Sequence, residues 1–154
     1  MIGSKKSLFV AVLHFVTAGI TLVAGIYLCF SLFYGNLLQF ENVENDLSTG
    51  IGNVFVAVFA LMFLLCSFAG ILMAIPSFIF SGCKLMAQAQ GQLPSKRSFI
   101  VTLVLKTIAF AVMLFTLIFM FELPNGLTAA VLHILMLSFS LASSLLEAYV
   151  RRRP

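Results

Sequence analysis

Four uninterrupted apolar runs constrain this chain more than any other feature: Leu8–Tyr34, Ile51–Phe80, Phe99–Phe121 and Leu127–Val150. Apolar runs longer than roughly 18 residues are read as membrane spans. A soluble helical domain would need a polar outer face on each helix, which these runs lack. Composition agrees. Only 9% of the residues are charged, against about 25% in a typical globular domain. The fold class expected is an all-α integral membrane protein, a four-transmembrane-helix bundle running up-down-up-down.

Charge placement predicts orientation, because bases accumulate on the cytoplasmic side of membrane proteins. Lys5 and Lys6 precede the first run. Lys84, Lys96 and Arg97 lie between the second and third, and Arg151, Arg152 and Arg153 follow the fourth. The alternate connections carry Glu41, Glu44, Asp46 and Glu122 and no base. The N and C termini are therefore expected in the cytoplasm, with a long outer loop over residues 35–50 and a cytoplasmic loop over residues 82–98. The multi-pass arrangement and its clean charge asymmetry suit a bacterial inner (plasma) membrane. The first run far exceeds the 7–15 residues of a signal-peptide core and is expected to stay in place as a span.

Breakers divide the chain further. Pro76 lies in the last third of the second run and predicts a kink. Gly91 and Pro94 predict that the second helix stops just before them. Ser98 is a candidate N-cap for the third helix. Glu122-Leu123-Pro124-Asn125-Gly126 is so short a connection that spans three and four must form an antiparallel hairpin. Tyr34 and Tyr149 are placed for the two membrane interfaces.

Helices associate in lipid through small residues that admit close approach and polar groups that need partners. Each run has one such stripe. In the first it is Ala11, His14, Ala18, Thr21 and Gly25. In the second it is Ala60, Ser67, Ala74 and Ser81. The third has Thr102, Lys106, Ala109, Met113 and Thr116, and the fourth Ala129, His133, Met136, Ser140, Ser144 and Glu147. Turning the four stripes inward makes a bundle whose other faces suit lipid.

Three ionisable residues on these stripes lie in the cytoplasmic leaflet. Lys106 is seven residues into its run, about 10 Å deep, and His14 is equally deep from the same side. Glu147 is about 5 Å inside the end of the fourth run. They are expected to form an intramembrane polar cluster, with Lys106 reaching toward Glu147. Its blander role is structural, a lysine and a glutamate that fix helix register near the headgroups. His133 lies in the outer half, at a depth different from His14. A haem held between the two histidines is therefore not expected, and His133 should bond a Ser or Thr across the bundle.

Catalytic chemistry finds little support. No nucleophile with a base at its depth, no phosphate-binding glycine loop and no paired carboxylates occur in the sequence. Cys29, Cys66 and Cys83 have no metal-ligand or redox spacing and are expected as free, buried thiols. No cofactor or metal is implied, and the bases do not form the continuous face that nucleic acid requires. Lys84, Lys96, Arg97, Arg151, Arg152 and Arg153 are instead placed to contact anionic lipid at the cytoplasmic face. The function expected is that of a non-enzymatic subunit, or helix-packing partner, in a membrane complex or homo-oligomer. The alternative is an oligomeric carrier or channel using His14, Lys106 and Glu147. The kink at Pro76 gives that alternative some support, since interrupted helices border many transport sites.

Overall fold

The computed structural model describes residues 2–40, 47–92, 96–120 and 126–152, without the side chains of 2–4, 31–40, 47–54, 56, 57, 60, 64, 119, 120, 126 and 152. Four helices account for nearly all of it: α1 (Ile2–Phe40), α2 (Leu47–Ala89), α3 (Lys96–Met120) and α4 (Gly126–Arg152). Each contains a stretch long and apolar enough to cross a bilayer: Lys5–Phe30, Leu61–Ala89, Lys96–Ile118 and Leu127–Arg151. The architecture is all-α, four long apolar helices packed as a bundle, as in a multi-pass integral membrane protein.

Helix ends and span ends do not coincide. Lipid thickness sets where a span ends, whereas caps and backbone bonding set where a helix ends. Accordingly α1 continues to Phe40 and α2 already begins at Leu47, so the segment expected as a loop over residues 35–50 is helical at both margins. Glu41, Glu44, Asp46, Glu122 and Pro124 lie outside the described residues. Ser98 is a second correction. Helix α3 starts at Lys96, which places Ser98 inside the first turn, where its carbonyl accepts a bond from the Thr102 hydroxyl at 3.0 Å.

The end of α2 follows from one glycine. Gly91 has φ +93°, in the region that side chains avoid. That conformation folds the backbone over the last turn, where the Gln92 amide donates to the Ala87 carbonyl at 3.0 Å and the Gly91 amide to the Gln88 carbonyl at 3.1 Å. This is the paired bonding of a Schellman motif, which satisfies carbonyls that a helix end would leave bare. Helix α2 runs on through Pro76 as one helical element, Leu47–Ala89. Pro76 faces outward, and the neighbouring Ser77 hydroxyl donates to the Ala74 carbonyl at 2.8 Å.

The bundle is a closed ring in chain order. Helix α1 packs on α2, α2 on α3 and α3 on α4, and α4 returns to α1; among the described residues the diagonal helices α1 and α3 meet through side chains, His14 with Lys106. Contacts along each seam establish that neighbours are antiparallel. A Cβ on Gly25 would meet Ile71, whereas one on Gly82 would meet the Phe15 ring, so α1 rises as α2 descends. Phe63 lies beside Phe115, with ring centroids 6.0 Å apart, and Gly70 faces Met113. At the α3–α4 seam Lys106 pairs with Glu147, and fourteen residues back along α4 His133 meets Thr116.

The stripes point inward. Ala11, His14, Ala18, Thr21, Ser67, Ala74, Ser81, Thr102, Lys106, Ala109, Met113, Thr116, Ala129, His133, Met136, Ser140 and Glu147 are all buried. Ser144 is half-buried, and the side chain of Ala60 lies outside the described set. The outer faces are the reverse of a soluble protein's. Val23, Phe59, Leu65 and Ile118 are each more than half exposed, an arrangement suited to hydrocarbon surroundings. Cys66 and Cys83 belong to this outer surface and Cys29 is half-buried. The three thiols are free, but the expectation that they are buried fails for two of them, because both lie off the small-residue stripe of α2.

A buried ion cluster as the candidate functional site

Near the end of the bundle that carries Lys96, Arg97 and Arg151, each helix contributes to one polar cluster. Helix α1 supplies His14, α2 the ring of Phe78, α3 Lys106, and α4 Glu147 and Arg151. Stripe positions on α1, α3 and α4 bring the first, third and fourth of these inward together. Lys106 and Glu147 each keep only 3% of their side-chain surface exposed.

The geometry is a triangle of contacts. The Lys106 ammonium donates to Glu147 Oε2 at 2.6 Å and reaches His14 Nε2 at 2.9 Å, and His14 Nε2 is 3.1 Å from the same carboxylate oxygen. The second oxygen, Oε1, accepts from Arg151 Nε and Nη2, both at 3.0 Å. Both oxygens of the carboxylate are therefore engaged by charge-assisted partners, the condition under which a buried ion is tolerated. Aromatic faces complete the surroundings. The Lys106 ammonium lies 5.0 Å from the Phe78 ring centre, and the Arg151 guanidinium lies 4.8 Å from that of Phe99. Both are within cation–π range.

His14 is held by its other nitrogen. Nδ1 lies 2.8 Å from the Val10 carbonyl one turn back, so it carries a proton. The neutral imidazole then presents a lone pair at Nε2, which accepts from Lys106. A doubly protonated imidazole donates from Nε2 to Glu147 instead. The ring finds a partner in either form, and the choice of tautomer follows from the bonding network. With the imidazole neutral, two cations face one anion and the cluster carries an excess positive charge.

The structure thus brings His14, Lys106 and Glu147 together, and adds two groups that the sequence reading missed. Arg151 was expected among the bases facing anionic lipid. Its guanidinium turns inward instead, with its side chain only 11% exposed. The signal was available, since Glu147 and Arg151 are four residues apart on one helix face. Phe78 had no such signal, because a phenylalanine in an apolar run looks like every other. Of the remaining bases, Lys84, Lys96 and Arg97 are exposed, with Lys84 over the Phe80 ring at 5.3 Å. The side chain of Arg152 and all of Arg153 lie outside the described residues.

His133 stands apart, fourteen residues or about 21 Å along α4 from Glu147. Its Nε2 donates to the Met113 carbonyl at 2.7 Å, and the Thr116 hydroxyl is 3.1 Å from the same nitrogen. Thr116 also donates to that carbonyl, at 3.0 Å. With the proton on Nε2, Nδ1 is a buried acceptor without a partner among the described residues. Ser138 and Ser143 of α4 bond locally, as serines in apolar helices do. Ser143 donates to the Ser140 carbonyl at 3.1 Å. Among the described residues no group of three His, Cys, Asp or Glu side chains gathers into a metal site.

What the cluster does chemically is hold charge in a buried interior and join four helices. It presents no nucleophile to a substrate among the described residues. No family model, curated protein or solved structure matches this chain.

Proposed function

We propose that the chain is a non-enzymatic membrane subunit that works through its outer helix faces, with the Lys106–Glu147–His14–Arg151 cluster as the clamp that fixes its own bundle. The observation that carries this reading is the mutual occupancy of the buried charges. Glu147 spends both oxygens, and Lys106 is taken up by Glu147, His14 and the Phe78 face. An interior so engaged supports shape, which leaves the apolar outer surface as the working one. Basic flanks favour both termini in the cytoplasm and suit a bacterial inner membrane, with Lys84, Lys96 and Arg97 toward anionic lipid. The test is the mass of the particle extracted in mild detergent at native expression. A discrete assembly larger than one 16.8 kDa chain is expected. A monodisperse single chain would defeat the reading.

A second reading, an oligomeric carrier, is favoured by the position of His14 Nε2 between a proton donor and a proton acceptor. Labelled-ion or proton flux into liposomes that Lys106→Met abolishes would establish it. Absence of flux at every pH tried would remove it.

A further inference from the structure

The seam between α3 and α4 does not close. Small residues on α4, Ser140, Ser144 and Ala148, leave a half-open cleft of about 290 Å³. Leu103, Phe110, Leu141 and Leu145 make its walls mainly apolar, and Lys106 also lines it. We propose that this cleft seats one acyl chain of an anionic phospholipid, whose headgroup is met by the bases at the adjoining end of the bundle.

Three observations converge on that occupant. The cleft lies within the apolar stretches Lys96–Ile118 and Leu127–Arg151, so its natural surroundings are hydrocarbon. Its volume would admit about ten waters, but an apolar cavity stays dry. An empty one forfeits dispersion contacts along its whole lining, so the acyl chains around it fill it. The charge beyond its mouth is positive. Lys96 stands seven residues before Leu103 and continues the same face of α3 about 10 Å further on. It is exposed, as is Arg97 beside it. In the cluster that shares Lys106 with the cleft, Lys106 and Arg151 outnumber Glu147. A zwitterionic headgroup gains little from that field, whereas a phosphate with net negative charge gains from each base.

The test is native mass spectrometry of the full chain, stripped of lipid in detergent and given dioleoyl phosphatidylglycerol or dioleoyl phosphatidylcholine. One phosphatidylglycerol is expected to remain bound, with about tenfold preference over phosphatidylcholine. Ser144→Trp, which fills the cleft from a half-buried position, is expected to lower its retention at least about fivefold at unchanged helix content. Ala148→Leu narrows the mouth with less bulk and gives the same readout should the tryptophan variant not fold. Equal retention of the two lipids overturns the proposal, as does full retention in Ala148→Leu. A lipid-free dimer dispersed by either variant also overturns it, since the cleft is then filled by a second copy.

Discussion

Removing Glu147 is expected to harm the bundle more than removing Lys106, and removing both less than the sum. In Lys106→Met the carboxylate keeps Arg151 at 3.0 Å. The methionine also relieves the burial of an ammonium. The loss is one charge-assisted bond, about 1.5–3 kcal/mol, offset by that relief, for a net of about 1 kcal/mol. In Glu147→Gln the amide oxygen can still accept from one of the two cations, but the charge that balanced them is gone, and beyond it Lys106 keeps His14 and the Phe78 ring and Arg151 the Phe99 ring. Two cations then sit in the bundle without an anion. One charge left in a span costs about 2.5–3.5 kcal/mol, and breaking a buried pair from one side costs about 3–5 kcal/mol. A loss of about 3 kcal/mol is expected. The double variant removes the anion and the deeper cation together and should lose about 1–2 kcal/mol, a coupling of about 2–3 kcal/mol. Reversible unfolding in mixed micelles, followed by helix content, measures all four proteins. Additive losses, or Lys106→Met proving the worse single change, would refute the reasoning.

Two further outcomes follow from helix ends and orphaned atoms. Gly91→Ala places a Cβ where φ is +93° and should lower stability by about 1 kcal/mol in the same unfolding assay, with Gly91→Asn losing less. His133→Leu should lose less than about 1 kcal/mol, because Nδ1 already lacks a partner and Thr116 continues to donate to the Met113 carbonyl; a loss above about 2 kcal/mol would indicate a bond that the bundle does not display.

The inward faces were legible because residue type and spacing carry the same information. At Ala11, His14 and Ala18, or Thr102, Lys106 and Ala109, a small or polar residue every three or four positions can only be accommodated toward other helices. Depth was legible by counting, which placed His14, Lys106 and Glu147 in one leaflet. Helix ends were less so. At Phe40 and Leu47 nothing in the residue types separates a helix leaving the lipid from a loop, and Ser98 resembled a cap although α3 had already begun. The cleft was not legible at all. Ser140 and Ser144 announce small volume, but whether a gap results depends on what α3 offers opposite them. The inward turn of Arg151 was obscured by Arg152 and Arg153, which made three bases look like one tail.

The order of synthesis gives the cluster a history. His14 and Phe78 are made first, Lys106 next, and Glu147 forty-one residues after it. Without α4, Lys106 would have an imidazole and an aromatic ring beside it, and no carboxylate among the described residues. Until the last helix arrives the nascent protein holds an uncompensated cation, so α4 is drawn to its berth between α3 and α1 by a debt of charge that only Glu147 discharges. A chain cut short before that residue would leave Lys106 without the carboxylate it donates to.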